Sequence, residues 1–403
     1  MRSNRPAARQ GPLGAPEDFS FVLGGPLFQL FRRLHLSGDG LELAHRRIIF
    51  MAAFAWVPLL VLSAVQGRAM GGSVAVPFLR DIEAHGRFLL VVPLLVAAEI
   101  MVHQRIRFVA RQFLERELIP AGDRSRFDAA VASTIRLRNS IPAELALIAL
   151  VYGVGILIIW RRFTALDTAT WYATPSAEGM NLSLAGMWLA FVSLPLAQFL
   201  LVRWYYRMFL WTRFLWKVAR IDLRLVPTHP DQLGGLAFLS MTTSAFAPLA
   251  VAHGALVSGW IASRIFLDQA ALLDFKIEIA AVAVLLMLLV FGPFLVFAPQ
   301  LGHARRQGER DYGPLAQRYT HEFAAKWVRS DAPPREPLLG SHDIQSLADL
   351  ATAYTVVRTM RVLPITKEAV VQLVVATLAP IAPLVLTMMP LGDLVKRVAG
   401  MLF

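Results

Sequence analysis

Apolar residues in this chain fall in long, nearly unbroken runs, not in the short alternating stretches that mark half-buried strands. The runs cover about 48–66, 88–104, 141–160, 182–203, 235–265 and 277–302. A last run, about 368–391, contains Pro380, Pro383 and Pro390. The longer ones reach the ~20 residues that a helix needs to cross a bilayer. The pattern predicts an all-α, polytopic integral membrane protein with about seven transmembrane helices and additional amphipathic cytoplasmic helices.

The polar intervals have patterns of their own. Residues 27–36 mix aromatics with arginines, which suits a short helix at the membrane surface. Phe127, Val131 and Ile135 recur at helical spacing within about 124–138. Leu315, Tyr319, Phe323 and Trp327 recur every four residues, and Ile344, Leu347, Ala351 and Tyr354 begin another helix after Pro333, Pro334, Pro337 and Gly340. Residues 161–181 read as a polar loop broken by Pro175 and Gly179. The expected organisation is a cytoplasmic tail with an interfacial helix (1–47) and a six-helix membrane domain (48–302) with cytoplasmic loops at 104–140 and 204–234. A cytoplasmic helical region (303–366) and a Pro-kinked C-terminal membrane segment (367–403) follow, the latter spanning or re-entrant.

Composition sharpens this reading. The chain is 56% hydrophobic and 17% charged, against roughly 45–50% and about 25% in ordinary soluble domains. Cysteine is absent, so disulfides, thiolate zinc sites and cysteine-ligated iron–sulfur clusters are excluded. The net charge of +12 is not a nucleic-acid signature, because the arginines flank the apolar runs. Lys plus Arg number 7, 3, 8, 2, 6, 2, 10 and 2 in successive segments between those runs. That alternation places the N-terminus, the 104–140 and 204–234 loops and the 303–366 region in the cytoplasm of a bacterial-type inner membrane. Arg46-Arg47 ahead of an apolar run has the look of a twin-arginine signal, but it lies far from the start and many runs follow. The expected partners are the lipid bilayer and, through small-residue packing, a second copy of the chain. No cofactor is implied.

The chemically particular stretch is Leu225 to Gly235, where Pro227, His229, Pro230 and Asp231 precede the pair Gly234-Gly235. Its His-Pro-Asp tripeptide is also the hallmark of J-domain cochaperones. There it joins two helices of a soluble domain, whereas here membrane-length runs flank it and nothing is carried over. Two readings are open for these residues. Asp231 caps the following helix while His229 braces the turn, or the loop forms the mouth of a ligand or ion pathway.

Other candidates follow from orientation. Glu99, His103, Glu144, His229, Asp231 and His303 fall at the same, cytoplasmic, membrane depth. Imidazoles and carboxylates together suit a divalent cation or a proton relay, or each pairs separately with nearby arginines. His253 sits in a run whose Ala247, Ala250, Gly254, Ser258 and Ala262 form a stripe of small residues, a surface for close helix approach. Arg203-Trp204-Tyr205-Tyr206-Arg207, Trp211 and Phe214 read as a headgroup collar. No hydrolase, nucleotide-binding or zinc-protease motif occurs, so the sequence leans away from an enzyme. The leading expectation is a channel or small-solute carrier with the His-Pro-Asp loop at its mouth. The alternatives are an enzyme acting on a lipid-type substrate at the cytoplasmic leaflet, and a membrane sensor or assembly factor.

Overall fold

The computed structural model describes residues 20, 24–25, 44–71, 74–159, 169–176, 179–329, 337 and 341–388. The described part is mostly helical. Helix α1 is Ala44–Val65 and α2 is Ile82–Glu115. Helix α3 is Ala121–Arg138. Helix α4 is Ile141–Leu150, and it continues as a wide turn over Val151–Ile159. A short hairpin, β1 Ala173–Ser176 and β2 Gly179–Leu182, precedes α5, Leu184–Val218. Then come α6 Ala237–Asp268, α7 Leu272–Trp327, α8 His342–Thr359 and α9 Lys367–Leu378, followed by a 3₁₀ turn at Ala382–Thr387.

Proline shapes the long helices. It lacks an N–H and clashes with the preceding turn, so the hydrogen-bond ladder must change around it. In α2 a π-helical stretch, Gly86–Val91, runs up to Pro93. In α5 the stretch Leu189–Ser193 runs up to Pro195. In α6 the tighter 3₁₀ segment Ala237–Phe246 gives way to regular helix at Ala247-Pro248. The chain thus changes its winding at prolines that the apolar runs alone do not reveal.

Five helices, α1, α2, α5, α6 and α7, are long and apolar enough to cross a membrane, and a sixth span arises if α3 and the α4 segment, bent by 49°, count as one. Among the described residues, which reach 388, the seventh run does not form such a helix. Helix α9 has 12 residues, about 18 Å at 1.5 Å per residue, which is short of the ~30 Å apolar thickness of a bilayer. The expected boundary between 302 and 303 falls inside α7, which is continuous to Trp327. The expected loop at 161–181 contains the β1–β2 hairpin, in register Thr174 with Asn181. The expected helix at 27–36 lies outside the described residues, as do Pro333, Pro334, Gly340 and Pro390.

The core runs through α2, α5 and α6. Trp204, Trp211 and Phe214 are fully buried in the protein core. The Trp204 indole N–H donates to the Leu95 carbonyl at 2.8 Å. Phe113 meets the Phe238 ring edge-on at 5.1 Å. The small stripe on α6 receives α9: a Cβ at Gly254 would lie 2.0 Å from the Thr377 carbonyl oxygen. Ser258 donates to the Pro380 carbonyl at 2.7 Å. By contrast α1 and α7 leave Ile49, Val61, Ile277, Val284 and Leu288 exposed.

Candidate functional site

Glu99 is buried on α2 and forms the hub of an ionic cluster. Arg47, in the first turns of α1, donates to Glu99 Oε2. Arg203 and Arg207 project from one face of α5, four residues apart. Arg207 Nη2 lies 2.6 Å from Glu99 Oε1, an ion pair and not a well-aligned hydrogen bond. Arg203 Nη1 is 3.6 Å from the same oxygen, and Arg203 Nε is 3.5 Å from Glu144 Oε1 at the start of α4. Arg207 also lies over the Trp204 ring, 4.9 Å from its centroid. Charges taken out of water are costly unless each finds opposite charge and hydrogen bonds. The planar, delocalised guanidinium suits such sites better than an ammonium.

Two cavities meet at this cluster. A polar one of about 20 Å³, room for a single water, is lined by Gly24, Arg138, Ser140, Glu144, Arg203 and Arg207, with Tyr206 and leucines completing the wall. An apolar one of about 520 Å³ lies between α1, α4 and α5, walled by Phe54, Ile148, Tyr152, Val192, Leu196 and Phe199 among others. Glu144 lines both. The apolar slot has one charged residue on its wall, Glu144, and the arginines lie behind that carboxylate in the polar cavity.

The His-Pro-Asp loop is organised differently. Asp231 Oδ1 accepts the backbone N–H of Leu233 at 2.8 Å and of Gly235 at 3.1 Å, and Oδ2 accepts that of Ala237 at 3.1 Å. One carboxylate thereby organises the turn into α6. Burial pushes this carboxyl up, but the three N–H groups, with His229, outweigh it and hold Asp231 below its ordinary range. His229 Nδ1 lies 2.9 Å from Asp231 Oδ1 and 3.2 Å from the Asp231 amide nitrogen. One ring nitrogen serves one of these contacts at a time. Gly234 and Gly235 take positive φ values of 62° and 100°, which a side chain would strain. The loop is also a footing for α7 and for the segment that follows α8. A Cβ at Gly308 of α7 would lie 2.6 Å from Pro227, and the Arg361 N–H donates to the Gln232 carbonyl at 2.8 Å.

The other sequence candidates stand apart. His103 Nδ1 is 2.8 Å from Ser20 Oγ. His253 donates from Nδ1 to the Leu249 carbonyl at 2.7 Å, which leaves Nε2 to accept from the Tyr205 hydroxyl at 2.8 Å. His303 is exposed on α7. Of the nine singled-out residues the structure joins Glu99 and Glu144, through Arg203, and pairs His229 with Asp231. Among the described residues no three His, Asp or Glu side chains are placed to hold a metal ion. Sequence reasoning missed Arg47, Arg138, Arg203 and Arg207 as site residues, because arginines beside apolar runs satisfy the topology rule equally well. The available signal was the spacing of Arg203 and Arg207, one helical turn apart directly after an apolar run.

No protein-family model matches the chain, and neither a curated protein nor a solved structure is detectably similar to it.

Proposed function

We propose that this chain is a polytopic inner-membrane protein, with its N-terminus in the cytoplasm, that takes a lipid-type amphiphile into the slot between α1, α4 and α5. The amphiphile's chain lies in the apolar cavity and its head meets the arginine and glutamate cluster, so the protein carries or presents it at the cytoplasmic leaflet. The observation behind this reading is the junction itself: a cavity of about 520 Å³ walled by apolar side chains shares Glu144 with a polar cavity lined by arginines. Apolar walls with a few convergent polar groups are the usual character of a small-molecule site. The membrane setting is supported by the five long apolar helices and their outward apolar side chains. The basic segments alternate with low-charge ones in the sense of the positive-inside rule. We assign the final crossing of the seven-span arrangement to α9 continued by the 3₁₀ segment Ala382–Thr387, because α9 alone is too short to cross.

The lipid reading is favoured over ion conduction along α6 because Ser240, Ser244, His253 and Ser258 there are each engaged by a nearby backbone carbonyl. Ser240 and Ser244 donate to the carbonyls of Ala237 and Met241, and Ser258 to that of Pro380. The test is photo-crosslinking of a lipid with a diazirine in its acyl chain to the purified protein in nanodiscs. Label is expected on α4 and α5 peptides, and it is expected to fall when Ile148→Trp or Val192→Trp fills the slot. Label spread evenly over the apolar surface and unchanged by either tryptophan would reject the slot. Ion flux in proteoliposomes that His229→Ala with Asp231→Asn abolishes would move the function to the α6 mouth.

A further inference from the structure

Among the described residues the charges around the slot are unequal. The described ion pairs bring three arginines, Arg47, Arg203 and Arg207, to two carboxylates, Glu99 and Glu144. Arg138 brings a fourth cation to the polar cavity. Its described hydrogen bonds go to neutral acceptors, Asn139 Oδ1 at 3.0 Å and the Ser20 carbonyl. Arg203 is the loosest member. Its contacts with Glu99 and Glu144, at 3.6 and 3.5 Å, are both longer than a formed hydrogen bond. A guanidinium held between two distant carboxylates gains by exchanging one of them for an anion that fits its fork. Glu144 is the exchangeable one. It stands at the junction of the cavities, whereas Glu99 lies deeper and is held by Arg47 and Arg207.

We propose that the headgroup of the bound lipid is a phosphate, held by Arg138, Arg203 and Arg207, and that it displaces Glu144 from Arg203 on binding. This rests on the lipid reading above and narrows it to anionic lipids. The polar cavity, at about 20 Å³, is too small for a phosphate while Glu144 is in place. Glu144 is therefore a built-in competitor: it occupies the arginine in the empty site and must swing aside when the headgroup arrives. The proposal gives the two kinds of substitution opposite signs. Losing a cation weakens the preference for phosphate, and losing the competing carboxylate strengthens it.

The experiment uses the full chain in nanodiscs and two diazirine-chain probes, a phosphatidic acid and a diacylglycerol with the same acyl chains, which differ only in the phosphate. Half-saturating concentrations are read from the label on α4 and α5 peptides. The phosphate lipid is expected to half-saturate at a concentration at least about tenfold lower, a difference of 1.4 kcal/mol. Arg138→Gln should bring the two probes within about threefold, and Glu144→Gln should widen the gap severalfold. A misfolded variant cannot widen it, so the second substitution guards the first. Equal binding of both probes to the slot would overturn the phosphate assignment and leave the lipid reading standing. Inorganic phosphate that displaces the phosphate lipid at matching concentration would overturn it too, in favour of a free-anion site. Failure of either probe to label the slot would sink the lipid reading and this inference together.

Discussion

Glu99 and Asp231 are both carboxylates enclosed by helices, yet they are satisfied by opposite means. Asp231 is met by neutral N–H groups of its own chain, all within six residues. Glu99 is met by three guanidinium groups from two other helices, the first of them 52 residues away in sequence. The first arrangement is local, formed as soon as the turn forms, and carries no net charge beyond the carboxylate. The second exists only after α1, α2 and α5 have packed, and among the described residues it brings three arginines to two carboxylates. A local cap builds a fold, whereas a long-range cluster with surplus charge beside a cavity can also receive a ligand.

Breaking the cluster should cost the most. Glu99→Gln removes the shared partner of three buried cations, and stranding buried charge in this way costs about 3–5 kcal/mol. Thermal unfolding of the purified variant should show a far lower midpoint than wild type. A variant that melts with wild type would mean that water reaches these arginines and that the cluster is not a closed ionic core.

Breaking the loop should cost less. Asp231→Ala leaves three backbone N–H groups without their acceptor, on the order of 1–3 kcal/mol. Asp231→Asn, which keeps one carbonyl oxygen, should recover part of that. The pH dependence separates the two sites further. Because the folded Asp231 carboxyl sits below its ordinary value of 3.8, its stabilisation is complete above that value and is lost only as pH falls through the lower folded value. The gap between wild type and Asp231→Ala should therefore stay level from pH 8 to pH 5 and close only in stronger acid. A gap that closes near neutral pH would assign the effect to some other group.

The same contrast explains what was readable from sequence. The long apolar runs, the helix at 124–138 and the turn-organising role open to Asp231 depend on neighbours in the chain; five of the runs form membrane-length helices, and the 124–138 helix and the Asp231 contacts are present. The Glu99 cluster depends on helices meeting far apart in sequence, so only their one-turn spacing separated Arg203 and Arg207 from topology charges. Trp204 and Trp211 looked like interfacial aromatics for the same reason. Only the packing of α2 against α5 shows them to be core. The small stripe on α6 was visible, but its occupant, α9 at Thr377 and Pro380, was not. The long proline-bearing run at 368–391 could not foretell that regular helix stops at Leu378.

Stripe and loop can be compared next. A methyl at Gly254 would meet the Thr377 carbonyl at 2.0 Å, while one at Gly259 meets Glu83 Cα at 3.4 Å, an ordinary contact. Gly254→Ala should therefore displace α9 and cost about 1–3 kcal/mol, as overpacking does. Gly259→Ala should be neutral or slightly stabilising, because alanine favours helix. Limited proteolysis after Leu378 reads this directly, with faster cutting expected for the Gly254 variant alone. Equal cutting of both would mean that α9 does not seat on the stripe.

The smallest effect belongs to His229, and it separates the two polar members of the tripeptide. Its side chain is 35% exposed and touches Asp231, which already has three backbone partners. An exposed pair of this kind is worth less than about 1 kcal/mol, so His229→Ala should melt within a few degrees of wild type and well above Asp231→Ala. The chain has no native cysteine, so His229→Cys doubles as an orientation probe with no background. A membrane-impermeant maleimide should modify it only from the cytoplasmic side. Modification from outside would invert the topology and place the arginine cluster at the opposite leaflet. Melting as severe as that of Asp231→Ala would show that the imidazole, not the three N–H groups, fixes the carboxylate.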